Sequence, residues 1–280
     1  MKKLTTYFII VIAIFKSSVL IGQDFGKKDS LRISFLTDVN FSSSSDDGRK
    51  QSRSGIGTIG LKFETGYIYG STNFTVYSQN ENISTDSTET KIFGSNLLLP
   101  ENSSSKVSNF SFLLGVKTFF LKEEDIEAAT FSFKRIGANV EFKVNNNLWS
   151  RDSISVPITI NTFNFNINYT LLNAKILNSD ERIRLILSGG FTSRRLGGDF
   201  GLNSNKELRK SFLGTDKLAF NGANIGFRLE ISKFYGEMNL TNFDRSLNIS
   251  GFSGDQSIIT LGLIADLTLV AEDLGLKKKK

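Results

Sequence analysis

Glu230 and Glu237, with Arg228 just ahead of them, form the densest group of reactive side chains in the sequence. Two carboxylates facing one another across a turn are the minimum equipment of a glycosidase, one as acid and one as nucleophile or base. Arg228 offers the simpler account, because a guanidinium between two carboxylates makes ion pairs. Other chemistry is removed by composition. The chain has no histidine and no cysteine, so a Ser-His-Asp triad, a cysteine nucleophile and the usual zinc sites are all excluded. Asp46-Asp47-Gly48 lacks the remaining spacing of a calcium loop and reads as a turn. Gly189-Gly190 and Gly197-Gly198 lack the lysine of a phosphate loop and any dinucleotide-binding context, so they read as relief of crowding in tilted strands or as turns. The expectation is a non-enzymatic protein with no cofactor and no metal.

The elements that carry these residues have a period of two. In the stretch TFNFNINYT, Phe163, Phe165, Ile167 and Tyr169 fall on one side and Asn164, Asn166 and Asn168 on the other, which is the alternation of a pleated strand. A soluble sheet would bury the Phe side, whereas a membrane barrel would turn it to lipid and line a lumen with Asn. Similar alternation recurs from Leu31 to Val270 in about ten strands, with eight or twelve as the alternatives if a hairpin is miscounted. In the fifth, the apolar phase slips between Phe133 and Ile136, which predicts a bulge. Composition agrees with an all-β chain: 25 Phe, 24 Gly and only two Pro in 280 residues.

The connections decide between the two solvents. Tight segments fall around Gly66, at 122–126, at 178–181 and at Ser232-Lys233. Long polar ones fall at 42–54, 79–108, 145–154, 196–218 and 244–256. Short and long alternate, as in barrels with short turns on the periplasmic side and long loops outside. Aromatic residues cluster near both ends: Tyr67, Tyr69, Phe119, Phe120, Phe131, Tyr169, Phe234 and Tyr235 by the short turns, and Phe41, Tyr77, Phe110, Phe220 and Phe243 by the long loops. The expectation is a pair of interfacial girdles.

Residues 1–22 carry Lys2 and Lys3 before an apolar run too short to span a bilayer, the pattern of a secretory signal. A short periplasmic segment at 23–30, a barrel at 31–270 and a basic tail at 271–280 would follow. The formal charge of +6 is misleading: Lys2, Lys3, Lys16 and Lys277 to Lys280 are terminal, and without those seven the body stands at −1. That argues against a nucleic-acid partner.

The pattern resembles the small outer-membrane β-barrel or porin-like families of Gram-negative bacteria, with Phe- and Asn-rich strands and a GQ-type signal end like those of the Bacteroidetes. The resemblance implies a membrane-spanning, antiparallel up-and-down β-barrel in the cell outer membrane, with periplasmic termini and with lipid and lipopolysaccharide as its surroundings. One departure is that AEDLGLKKKK follows Val270, where such barrels often stop at an aromatic residue.

In a barrel of this kind the residues opposite the apolar ones line the lumen. Asn40, Asn73, Thr75, Asn164, Asn166, Ser188, Thr192, Asn224, Asn239 and Thr260 would form a polar outer vestibule. Arg32, Lys62, Glu64, Lys117, Arg135, Arg184, Arg228, Glu230, Glu237 and Asp266 would gather in the periplasmic half. With about ten strands the interior is only slightly wider than one that side chains fill, so these charges should pair and occlude it. Six basic members against four acidic ones would tilt any residual path toward anions.

Two loops carry apolar runs. Ile92, Phe93, Leu97, Leu98 and Leu99 form a patch that needs cover, as a constriction, a rim contact or a surface for an envelope protein partner. In SNKELRKSFL, Ser204 and Glu207 have capping-box spacing before Leu208, Phe212 and Leu213, which predicts a small surface helix. The leading reading is a structural or porin-like barrel. The alternative is a surface adhesin or receptor, or the barrel subunit of an envelope secretion or assembly machine, acting through these loops.

Overall fold

A computed structural model of the chain describes residues 32–46, 49–64, 68–82, 108–116, 135–151, 154–176, 181–244, 249, 252 and 254–266. The signal segment, the basic tail, Lys117 and the Ile92 to Leu99 patch lie outside the described residues.

Ten strands form the fold: β1 Arg32–Asp46, β2 Arg49–Glu64, β3 Ile68–Asn82, β4 Ser108–Val116, β5 Ile136–Arg151, β6 Ile154–Lys175, β7 Arg182–Gly198, β8 Ala219–Ile231, β9 Phe234–Phe243 and β10 Gly254–Asp266. Each pairs antiparallel with its neighbours in sequence, and β1 pairs with β10, so the sheet closes into an up-and-down barrel. Closure leaves no open edge in the ring.

The alternation in TFNFNINYT is that of a barrel with its apolar side outward. Phe163, Phe165 and Ile167 face outward and are exposed, at 44%, 40% and 52%. Asn164, Asn166 and Asn168 face inward, where they bond to Glu141, Asn139 and Tyr69. The same outward row continues around the ring with Phe35 and Val39 on β1, Ile59 and Leu61 on β2, Phe142 on β5, Phe191 on β7, Ile225 and Phe227 on β8, Leu240 on β9 and Leu261 on β10, all exposed. A contiguous apolar surface of this kind is foreign to a water-soluble protein. The strand ladder satisfies the backbone groups beneath it, as hydrocarbon surroundings demand.

Strand length separates two regions. About 9–11 tilted residues cross a bilayer. β4 has nine and just spans, whereas β6 has 22 and overshoots. The overshoot corrects two expected loops. Residues 42–46 and 49–54 belong to β1 and β2, paired as far as Asp46 with Arg49. Residues 145–151 likewise belong to β5, paired with β6 as far as Arg151 with Ile154. Residues 47 and 48, read as part of a turn, lie outside the described residues. At the other end Ile231 pairs with Phe234 across Ser232 and Lys233, the tight turn expected there, with Ser232 at φ 56°. The expected tight segments around Gly66 and at 122–126 lie outside the described residues, and β4 and β5 end and begin at Val116 and Ile136. β5 begins at Ile136, and residues 133 and 134, where a bulge is expected, lie outside the described residues. Register shifts occur at Ser44/Ser45, Gly57/Thr58 and Thr170/Leu172.

Candidate functional site

The interior has a polar lower part and an apolar cap. Near the short turns, register brings Arg228 opposite Glu237, while Glu230 lies opposite Tyr235. Glu230 and Glu237 therefore do not face each other, as the sequence suggests, but flank one guanidinium. Arg228 donates to Glu230 at 2.8 Å along its strand and to Glu237 at 2.9 Å across the hairpin. Arg184 reaches Glu230 from β7 at 3.7 Å. The Arg228 guanidinium also lies over the Tyr235 ring, 4.1 Å from its centroid. Lys62 and Glu64 form a separate pair at 3.0 Å on β2, and Lys62 adds to the field at Glu230.

Of the ten expected lumen charges, the structure thus joins Arg184, Arg228, Glu230 and Glu237 in one group and Lys62 with Glu64 in another. Arg135 is buried at the entrance to β5. Arg32 pairs in register with Glu64 and Asp266 with Ser34, but the side chains of Arg32 and Asp266 lie outside the described residues.

Sequence reasoning missed inward charges higher in the barrel. Asp38 is 8% exposed and accepts from Thr58, from Asn40 at 3.0 Å and from the Tyr235 hydroxyl at 2.9 Å. Lys143 pairs with Glu141 at 3.3 Å. Arg194 donates to Gln256 at 2.7 Å and lies over the Phe243 ring. Charge is therefore spread through the lumen and not confined to the half near the short turns.

Tyr69 and Tyr235, expected in the girdle, point into the lumen. Tyr69 accepts from Asn139 and Asn168 at 3.1 and 3.2 Å, side chains two and three strands away around the ring. Their phase gave the signal: each alternates against the outward residues of its own strand, Phe74 on β3 and Phe234 and Met238 on β9. Glycines make room for them, since a Cβ on Gly115 would stand 2.4 Å from the Tyr69 ring and one on Gly262 2.3 Å from the Tyr235 ring. Gly190 relieves crowding as expected, because a Cβ there would meet the Phe165 carbonyl at 1.9 Å.

At the long-loop end the expected polar vestibule is capped by an apolar core. The inner face of β6 changes from Thr162 and Asn164 to Ile160, Ile158 and Val156, all three buried. Onto them pack Trp149, Leu196, Phe220 and Phe243 from the neighbouring strands and Phe200, Phe212, Leu213, Ile249 and Phe252 from the connections. Phe220 and Phe243 are therefore cap residues, not girdle residues. The predicted helix is present as α1, Lys206–Leu213. It starts after Asn205 without a side-chain cap, and Glu207 pairs with Lys210 at 3.1 Å in place of a capping box. Its buried Arg209 donates to the carbonyls of Phe200, Leu202 and Asp216 at 2.6, 2.8 and 2.9 Å. Those bonds tie the turn before the helix to the loop after it.

Fold and surface define the class: a ten-stranded up-and-down β-barrel of the membrane-spanning kind, apolar outside and polar within. No protein-family model matches the chain, and no curated protein matches it. Among solved structures it is similar to the translocator domain of the autotransporter NalP from Neisseria meningitidis, at 9% identity and a TM-score of 0.32, over 93% of this chain and 96% of that one. It is also similar to the outer membrane protease OmpT from Escherichia coli, at 10% identity and a TM-score of 0.32, over 84% and 95%. The attachment invasion locus protein Ail of Yersinia pestis gives 9% and 0.28, over 84% and 98%. Similarity at this level carries no argument about role, and the barrel rests on its own register.

Proposed function

We propose that the chain is a non-enzymatic outer-membrane β-barrel with a structural role and an occluded lumen, surrounded by lipid and lipopolysaccharide. The observation that carries the reading is the inversion of polarity: outward Phe, Ile and Leu around an interior of Asn, Thr, Arg and Glu. That arrangement is stable when hydrocarbon surrounds the ring. Two obstructions support an occluded lumen over an open pore. One is the Arg184, Arg228, Glu230 and Glu237 group with the inward tyrosines, and the other is the apolar cap. The absence of histidine and cysteine from the chain supports a role without catalysis.

The termini would be periplasmic, on the side of the short turns, after export on the 1–22 signal. A role as adhesin, receptor or secretion subunit would act through the long connections. The α1 connection folds down onto the cap and so favours the structural reading.

Planar-bilayer recording of the refolded chain tests occlusion. The expected result is no steady open-porin conductance, with any residual current favouring anions. Steady conductance of porin size would overturn the occluded reading. The absence of a gel shift between unheated and boiled outer-membrane samples would overturn the barrel assignment itself.

A further inference from the structure

We propose that Tyr235, Gly262 and Asp38 set the register at which the barrel closes. Closure joins β1 to β10, and alternation alone leaves that join ambiguous. A slip of one residue would turn every side chain to the wrong face, but a slip of two preserves apolar outside and polar inside along both strands. A device that reads position, not polarity, must therefore choose between them.

The interior supplies one. Tyr235 is directly paired with Gly262, Gly262 with Asp38, and Asp38 with Thr58. One row thus crosses four strands. The Tyr235 ring lies over Gly262, in space that a Cβ would occupy. Its hydroxyl reaches past β10 to Asp38, whose carboxylate also accepts from Thr58.

Slipping β1 by two residues brings either Leu36 or Asn40 opposite Gly262. Leu36 offers the Tyr235 hydroxyl no acceptor. Bringing in Asn40 moves Asp38 opposite the apolar Ile264. Either slip separates the carboxylate from its phenol inside the barrel, where an unmade bond to a charged group is costly.

The same construction appears once more among the described residues. Tyr69 lies over Gly115, its direct partner on β4, and its hydroxyl bonds to Asn139 on β5, the direct partner of Gly115. The two spans thus serve the closing seam and the shortest strand, where pairing is least constrained by length.

The chain has no cysteine, so introduced pairs report without background. Val39 pairs directly with Leu261 on the outward face, while Ile259 and Leu263 are the partners that two-residue slips would bring to it. Direct partners lie within disulfide reach and diagonal ones at about 7–8 Å do not. Oxidation of refolded chains carrying Val39→Cys with Leu261→Cys, Ile259→Cys or Leu263→Cys therefore measures register.

In the parent, the native pair should cross-link and the slipped pairs should not. Tyr235→Ala should raise the slipped share about tenfold, and Tyr235→Phe, which keeps the ring and removes the hydroxyl, less than that. Tyr169→Ala, on the outer face, should leave it unchanged. An unchanged slipped share in folded Tyr235→Ala would overturn the proposal. If that variant does not fold, a Tyr235→Phe share equal to the parent's would do the same.

Discussion

The Arg228 guanidinium stands 2.9 Å from the Glu237 carboxylate across the β8–β9 hairpin, while its Nε donates to Glu230 on the same strand. One cation thus holds two carboxylates, each about three-quarters or more removed from solvent. The partners are unequal in consequence. Removing Arg228 leaves two buried negative charges with only Arg184 and Lys62 to act on Glu230, whereas removing Glu237 leaves Arg228 still paired. Arg228→Met should therefore cost about 3 kcal/mol and Glu237→Gln about 1 kcal/mol. Combining Arg228→Met with Glu237→Gln should recover most of the loss, because Glu230 keeps Arg184 and no carboxylate of the group is then left without a cation. Urea midpoints of the reconstituted barrel check the order, and equal costs for the two single changes would contradict it.

Gly189 and Gly190 are adjacent and should respond in opposite ways. A Cβ on Gly190 points inward and would stand 1.9 Å from the Phe165 carbonyl, whereas one on Gly189 points outward and meets nothing nearer than 3.8 Å. Gly190→Ala should cost about 2–3 kcal/mol and Gly189→Ala less than about 0.5 kcal/mol. The temperature at which the unheated gel form is lost reads both.

The cap should open without the barrel. Phe212 is 1% exposed and packs edge-on to Phe200 at 5.4 Å, clear of the strand ladder. Phe212→Ala should destabilise the cap by about 3–4 kcal/mol. Arg209→Met should act in the same direction, because it strips three carbonyls of their donor. Both variants should be cleaved faster within 199–218 by added protease while keeping the parent's heat-dependent gel shift. Loss of the gel shift would place the cap within the barrel's own cooperative unit.

Much of this fold was legible because one physical pattern, the period of two, survives wherever one face meets hydrocarbon. It located the β6 alternation, the number of strands, the turn at Ser232-Lys233 and the Arg228, Glu230 and Glu237 group. The pattern fades where both faces are polar. The upper halves of β1 and β2 are a run of Ser, Asp and Arg, and Asn145, Asn146 and Asn147 sit in β5, so those stretches read as loops although they pair as strands. The cap was hidden for another reason: Phe200, Phe212, Ile249 and Phe252 come from connections and share no period. Tyr69 and Tyr235 were misplaced by weighing their height over their phase, and their phase was correct.

Lipid contact along Phe163 to Asn168 shows which face of β6 meets hydrocarbon. Single cysteines at 163, 165 and 167, and at 164, 166 and 168, would each carry a fluorophore in vesicles containing brominated lipid. Strong quenching is expected at the three odd positions and weak quenching at the three even ones. Equal quenching at both sets, or the reverse order, would contradict a barrel that turns its phenylalanines to hydrocarbon and its asparagines to an enclosed axis.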